Sequence, residues 1–175
     1  MDILKYFIEE PEREFHIREI AKIINKSPTT ISKYLKHLEK SNLLISRKEY
    51  NHILFKANTE SAQYKDEKLA YNIRKIRNSG LIDYLIEQFN YPEAIILFGS
   101  FAKSENTKNS DIDLLIISSL NKQIELISYE NKLKHNIQTF IVSNNEIDKM
   151  KTKNKELLNT WLNGIPLYGF WEVFK

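Results

Sequence analysis

The 175-residue chain contains no cysteine. It therefore cannot form disulfides or a thiolate zinc site, and this composition fits a cytoplasmic protein. No stretch approaches the roughly 18 consecutive apolar residues of a membrane-spanning helix, so we expect no membrane partner. The opening residues, Met1–Tyr6, include an acid and lack an apolar core, which predicts that there is no secretory signal.

Neither positive nor negative charge is in large excess. The formal net charge is +3, with 28% charged and 42% hydrophobic residues. This hydrophobic content is adequate for a globular core, and the length suits one or two domains. The four histidines are scattered and show no metal-ligand spacing.

The most informative segment runs from residue 94 to residue 117. Two apolar runs of strand character flank a polar loop, and the second run opens with Asp111-Ile112-Asp113. Side chains alternate along a strand, so Asp111 and Asp113 share one face while Ile112 and Leu114 point into a core. Two like charges this close repel each other. A hard divalent cation such as Mg²⁺ would offset that repulsion, and the pattern therefore predicts a metal site.

Gly99-Ser100 followed by Ser110-Asp111-Ile112-Asp113-Leu114 resembles the signature of the DNA polymerase beta-like nucleotidyltransferase superfamily, in its minimal form. The resemblance covers roughly residues 80–169. It implies that Gly99 and Ser100 end a strand and open a helix that holds the triphosphate of a nucleoside triphosphate such as ATP. It also implies that Asp111 and Asp113 are catalytic and hold Mg²⁺. Glycine permits close approach to a ligand, and helix N-termini favour anions, so the residue types agree with these roles.

Residues 137–142 predict a third strand, where the sequence departs from the family pattern. Active members usually carry a third acid there, whereas this chain has Gln138. An amide oxygen can bind a metal but brings no negative charge. Three alternatives stay open: two acids suffice with one principal Mg²⁺, another acid completes the site, or catalysis is impaired. The other acids considered are Glu125, Glu130 and Asp148.

The loop between the two motifs has two further features. Ser104 stands where the family often has glycine, and Lys103 and Lys108 could contact phosphates. Exposed loop lysines are also commonly uninvolved in binding.

The first sixty residues predict a helix, a helix-turn-helix and a hairpin. Ser27 is a candidate N-cap, with Pro28 at the first helical position. In the helix that follows, apolar spacing predicts four inward residues, Ile31, Tyr34, Leu35 and Leu38. The predicted helices span residues 2–9, 15–24 and 28–40, and the predicted strands span 43–48 and 52–57.

This order resembles a winged helix-turn-helix domain, in which the second helix of the pair enters the major groove of duplex DNA. The resemblance implies phosphate or base contacts by residues of that helix and of the wing. A lysine-rich face can also be simply solvated, and winged helices also serve as protein-binding or dimerisation modules, so a homodimer stays open. The candidate DNA-binding residues are Thr29, Thr30, Ser32, Lys33, Lys36, Arg47 and Lys48.

The remaining segments predict a stiff linker helix and a small mixed sheet. Further helices are expected over 62–78, 81–89, 121–134 and 157–162, a capping box at Ser143–Glu146, and a short closing strand at 164–169. We therefore predict an α+β protein with a winged helix-turn-helix domain at 1–58, a linker helix at 59–79 and a mixed-sheet nucleotidyltransferase domain at 80–175.

Two functional hypotheses follow. The first is a Mg²⁺-dependent nucleotidyltransferase that modifies a hydroxyl on RNA or protein and is coupled to a DNA-binding domain. Small members of the family are associated with such modification, often within toxin–antitoxin pairs, which implies a partner protein. The alternative is a DNA-binding transcriptional regulator whose nucleotide-binding domain is degenerate and non-catalytic. Gln138 favours the second hypothesis, whereas the Gly-Ser pair and the two acids favour the first.

Overall fold

A computed structural model describes residues Asp2–Glu172 of the chain, so residues 173–175 of the predicted second domain lie outside the described part. The chain divides into two compact units, Met1–Lys68 and Leu69–Lys175. The division falls within the segment predicted as a linker. None of the helices formed by residues 2–172 combines the length and hydrophobicity that crossing a membrane requires.

The first unit has the element order of a winged helix-turn-helix. Its three strands form one antiparallel sheet in the order β1-β3-β2. Phe15 and His16, predicted to be helical, instead form β1, because they pair with Phe55 and Leu54 of β3. The elements are α1 (Leu4–Glu9), β1 (Phe15–His16), α2 (Ile17–Ile24), α3 (Pro28–Lys40), β2 (Leu44–Glu49) and β3 (His52–Ala57).

Helix α3 begins as the sequence predicts. The Ser27 side chain accepts a hydrogen bond from the Thr30 N–H at 3.2 Å, and Pro28 occupies the first turn. Ile31 and Leu35 are fully buried. The inward placement of Tyr34 is wrong, because its side chain lies at the margin of that stripe and is 44% exposed.

Helix α4 (Ala62–Asn78) is the longest helix of the described chain; it begins in the first unit and ends in the second. Within the first unit, Tyr64 of α4 is fully buried and its hydroxyl donates to the Phe7 carbonyl at 3.0 Å. Within the second unit, Asn72 and Ile76 are buried on one face of the helix, four residues apart.

The second unit is built on a four-stranded sheet in the order β6-β5-β4-β7. Strands β5 and β6 are parallel, whereas β4 is antiparallel to both of its neighbours. The elements are α5 (Leu81–Gln88), β4 (Ala94–Phe98), α6 (Gly99–Ala102), β5 (Ile112–Ile117), α7 (Ile127–Leu133), β6 (Ile137–Val142), α8 (Asn144–Lys153), α9 (Lys155–Leu162) and β7 (Ile165–Gly169).

Both faces of this sheet are covered. One face contributes residues such as Leu97 and Leu114 to a cluster with Leu85 of α5. The other contributes residues such as Leu115 to a cluster with Trp161 of α9. Strands buried on both faces read as continuous apolar runs, which explains the sequences of β4 and β5. Polar side chains interrupt the second face at one end of the sheet, and that end carries the candidate site.

Two local predictions for this unit are confirmed and one is wrong. The capping box at Ser143 and Glu146 is present, and β7 closes the sheet against β4. The helix predicted from residue 121 begins only at Ile127. Ile124 and Leu126 both pack against the core. They do so from the irregular segment that precedes α7.

Candidate functional site

The two candidate acids lie at the start of β5, in the middle of the sheet. Asp111 immediately precedes the strand, and Asp113 pairs with Phe98, the last residue of β4. Ile112 and Leu114 are 1% and 0% exposed and belong to the core on the opposite face. The alternation expected from the sequence therefore holds, and both acids are half-buried on one face.

Gly99 brings the backbone directly against one of these acids. It follows β4 with a φ of +69°, in the left-handed region, and a Cβ added there would overlap the Asp113 Oδ2 atom. Only glycine satisfies both the conformation and the close approach. Ser100 comes next, in the short helix α6, and Phe101 anchors that helix in the core.

Gln138 lies where the third acid is expected. It is the partner of Asp113 in the parallel pairing of β5 and β6. Its Nε2 donates to Asp111 Oδ2 at 2.8 Å, and Asn136 Nδ2 donates to Asp111 Oδ1 at 3.2 Å. Both oxygens of Asp111 are thus held by neutral amides, which orient the carboxylate without compensating its charge.

The alternative third acids have other surroundings. Glu130 Oε1 accepts the Ile137 N–H at 3.0 Å, and Asp148 pairs with Lys151 at 2.7 Å. Glu125 is exposed in the segment before α7. Among residues 2–172, no group of three or more histidines, cysteines or acids is arranged to hold a metal ion. The site therefore depends on the pair Asp111 and Asp113.

The electrostatics of the pair favour a cation. Burial, and then the negative charge of Asp111, raise the pKa of the Asp113 carboxyl above its ordinary value. A positive ion between the two carboxylates would reverse the second of these effects. Carboxylate oxygens are the hard ligands that Mg²⁺ takes in proteins, so the residues present fit this ion.

A buried amide pair fixes the loop that leads to the acids. Asn72 of α4 is 2% exposed, and its Nδ2 donates to Asn106 Oδ1 at 2.8 Å and to the Phe101 carbonyl at 3.3 Å. The sequence reading missed Asn72, although its place four residues before Ile76 on the buried side of α4 was a usable signal. In the same loop Ser104 has a φ of +60°, which explains why glycine suits that position.

The candidate DNA-binding residues divide into two groups. Four of them from α3 line a groove of about 810 Å³ together with His16 and the hairpin residues 51–53. The α3 residues in this groove are Thr29, Ser32, Lys33 and Lys36.

The other three candidates lie elsewhere. The Thr30 hydroxyl lies 2.8 Å from that of Ser27, within the N-cap of α3. Arg47 donates to both carboxylate oxygens of Glu14 at 2.6 Å and to Glu49 at 3.0 Å. These hydrogen bonds, the one with Glu14 first, raise the pKa of Arg47. Lys48 is exposed on β2. The roles given to all seven residues stay predictions.

Comparison with known proteins gives two family matches. Residues 80–169 match the polymerase beta nucleotidyltransferase family. Residues 1–46 match bacterial regulatory proteins of the arsR family. No curated protein matches the chain. A solved structure from Sulfolobus solfataricus, described as a candidate nucleotidyltransferase, is 20% identical, with a TM-score of 0.31, over 45% of this chain and 75% of that chain.

Proposed function

Because this chain belongs to the polymerase beta nucleotidyltransferase family, we propose that it transfers a nucleotidyl group from a nucleoside triphosphate to an acceptor hydroxyl. One observation carries the proposal: the Asp113 carboxylate lies against the Gly99 backbone, with Asp111 on the same face. The turn proposed to receive phosphates and the acids proposed to receive Mg²⁺ are thereby in direct contact.

The proposed reaction is a single displacement at the α-phosphorus. The acceptor oxygen bonds to that phosphorus while its bond to the oxygen bridging to the β-phosphate breaks. Pyrophosphate leaves with the electron pair, and the hydroxyl proton passes to solvent. Mg²⁺ held by Asp111 and Asp113 would neutralise phosphate charge and act as a Lewis acid. Asn136 and Gln138 hold the Asp111 carboxylate in place through their amide hydrogen bonds.

Calorimetric titration of the full chain with ATP, with and without Mg²⁺, tests the proposal. We expect binding that depends on the metal and that disappears in the Asp111→Asn/Asp113→Asn variant. Label transfer from ATP should fall by about a hundredfold or more in the same variant, since removing a charge-stabilising group typically has this effect. Asp148→Asn, which removes the carboxylate that pairs with Lys151 on α8, should change neither measurement.

Absence of ATP binding, or ATP binding that is equally tight without Mg²⁺, would rule out the proposed site.

The same experiment also tests a second candidate function. Gln138, with its neutral amide on Asp111, favours a regulator that binds a nucleotide without turnover. Metal-dependent ATP binding without transfer of label to any RNA or co-purifying protein would select this regulator.

We also propose that the first unit binds duplex DNA through the groove beside α3. Lys33 and Lys36 are exposed on this helix and line the groove. Replacing both by alanine should weaken binding and reduce the slope of log affinity against log salt by about 1.8, because each phosphate contact contributes about 0.9. Lys149→Ala/Lys153→Ala removes the same charge from α8 and should leave the slope unchanged. An unaltered slope in Lys33→Ala/Lys36→Ala would exclude α3 as the DNA-contacting helix.

A further inference from the structure

A cavity of about 430 Å³ lies at the end of the second unit's sheet that is opposite to the two acids. Asp111 and Asp113 are at the start of β5, whereas Ser118, which lines the cavity, directly follows the end of that strand. Ser143 also lines the cavity and follows the end of β6, which runs parallel to β5. In open α/β sheets, ligands bind outside the carboxyl ends of the strands. No role assigned above uses this cavity.

The wall of the cavity offers hydrogen-bonding groups that the chain itself does not use. Within the part of the chain that the structure describes, the side chains of Asn90, Ser119 and Asn145 make no hydrogen bond. Glu93 accepts a hydrogen bond from Asn144 Nδ2 at 2.6 Å through Oε2. Its other carboxylate oxygen, Oε1, has no partner among the described residues. These groups are therefore available to a ligand.

The charge of the cavity favours an uncharged ligand. None of its lining residues, all of which lie in the described chain, is a lysine, an arginine or a histidine. A phosphate group would meet the negative charge of Glu93 without compensation. The start of α8 offers no anion site either, because the Glu146 carboxylate of the capping box already occupies it.

Tyr91 gives the cavity an exposed aromatic surface. Its side chain is 73% exposed and lines the cavity. Its φ of +59° is in the left-handed region, which bulky residues rarely adopt. The Tyr91 N–H donates to the Ile86 carbonyl at 2.9 Å, and this hydrogen bond closes the end of α5 and fixes the backbone. The chain thus carries a local conformational cost at the cavity, as functional positions often do.

These groups together fit a ribonucleoside. The face of a base can stack on the ring of Tyr91. The ribose hydroxyls can donate to the unused oxygen of Glu93, as they do to carboxylates in nucleotide-binding folds. The amides of Asn90 and Asn145 can pair with the polar edge of the base. We propose that this cavity binds an uncharged ribonucleoside and is separate from the site proposed for ATP.

Calorimetric titration of the full chain with adenosine, without Mg²⁺, tests the proposal. Tyr91→Asn removes the ring, and asparagine suits the left-handed backbone. We expect this variant to bind adenosine about tenfold more weakly, because one base–aromatic stack is lost. Tyr50→Asn is the matched control: Tyr50 is 92% exposed and also left-handed, with a φ of +50°, but it belongs to the first unit. Its affinity for adenosine should equal that of the native chain.

The role of Glu93 is tested with 2′-deoxyadenosine. The native chain should bind this probe about tenfold more weakly than adenosine, because a hydrogen bond to a carboxylate is lost. Glu93→Gln should reduce that preference severalfold, since a neutral amide oxygen is the weaker acceptor. Glu156→Gln, the same change at an exposed position of α9, should keep the preference. Thermal melting of each variant verifies that it is folded.

Adenosine should bind equally well to Asp111→Asn/Asp113→Asn, whereas loss of binding there would place the nucleoside at the two acids and overturn the proposal. Absence of adenosine binding by the native chain, or unchanged affinity in Tyr91→Asn, would also overturn it. Ribose that binds as tightly as adenosine would assign the cavity to a free sugar instead. Failure of the native chain to bind ATP would refute only the proposed function, because adenosine binding at this cavity requires neither the metal nor the acids.

Discussion

Two charged sites, one in each unit, are arranged in opposite ways. In the winged-helix unit, Arg47 is held by Glu14 and Glu49, and Lys56 pairs with Glu12 at 2.8 Å. In the nucleotidyltransferase unit, Asp111 and Asp113 lie side by side, and the side-chain hydrogen-bond donors to Asp111 are neutral amides. Charge that is compensated within the chain supports a scaffold. At the uncompensated pair, we propose that a ligand supplies the opposite sign.

The largest expected effect comes from Gly99→Ala, which disturbs the uncompensated pair directly. The new Cβ would overlap Asp113 Oδ2, and the positive φ would add strain. We expect a loss of about 2 kcal/mol or more in the free energy of unfolding, measured with urea, and no metal-dependent ATP binding. Gly80→Ala is the control: its φ is +83° but nothing lies within 4 Å of its added Cβ. Normal ATP binding by Gly99→Ala would show that the contact with Asp113 is dispensable.

The next test concerns neutral polar groups of the nucleotidyltransferase unit. Their hydrogen bonds are made within the chain, whereas the charge of the two acids is not compensated there. Asn72→Ala would remove the donor to Asn106 Oδ1 and to the Phe101 carbonyl. Losing these two buried hydrogen bonds should lower the free energy of unfolding by about 1–3 kcal/mol, together with a weaker affinity for ATP. Asn78→Ala, at an exposed position of the same helix, should have little effect. Destabilisation with unchanged ATP affinity would mean that the loop does not need this anchor.

Removing one of the two like charges should stabilise the protein modestly. The pKa of Asp113 is raised in the folded state, so the folded protein binds more protons than the unfolded chain. The contribution of Asp113 to stability should therefore fall as pH rises from the ordinary carboxyl pKa through the higher folded value. Asp113→Asn should abolish this fall and melt at a higher temperature at neutral pH. Added Mg²⁺ should raise the melting temperature of the native protein but not of the variant.

Asp148→Asn serves as the control for that thermal scan, since Asp148 pairs with Lys151. A difference in melting temperature between the native chain and Asp113→Asn that stays constant across the same pH window would contradict the repulsion between Asp111 and Asp113.

The smallest effect is expected in the winged-helix unit, from Glu14→Gln. The hydrogen bond from Arg47 lowers the pKa of Glu14, so its contribution to stability is present above the ordinary carboxyl pKa and is lost as pH falls. Freed from Glu14, Arg47 should bind a DNA phosphate and steepen the salt slope by about 0.9. Glu10→Gln, which removes one of the two carboxylate partners of Arg13, is the control. An unchanged slope would assign Arg47 a purely structural role.

Local patterns carried much of what the sequence could predict. Strand alternation alone put Asp111 and Asp113 on one face, and Ser27-Pro28 marked the start of α3. These features depend on residues a few positions apart. The contacts that the sequence did not predict join distant residues. Asn72 and Asn106 are 34 positions apart, and Arg47 and Glu14 are 33 apart. Such pairs depend on tertiary packing, which propensity and spacing do not encode.

At Tyr34 and in the segment before α7, the local sequence pattern predicted a structure that the fold does not have. The helical register placed Tyr34 inward, but the width of the buried stripe is decided by the neighbouring elements. Likewise, Ile124 and Leu126 satisfied a helical pattern, yet they pack against the core from an irregular segment before α7. In both cases the tertiary partner, rather than the local sequence, selected the outcome.

The amide at residue 138 also has an evolutionary consequence. Glutamine and glutamate codons differ in a single base, so one nucleotide substitution would convert the residue that holds Asp111 into a third carboxylate. A single base change would therefore convert the two-acid site into a three-acid site. Comparing residue 138 among closely related genes would show whether selection maintains the two-acid form or lets both forms persist.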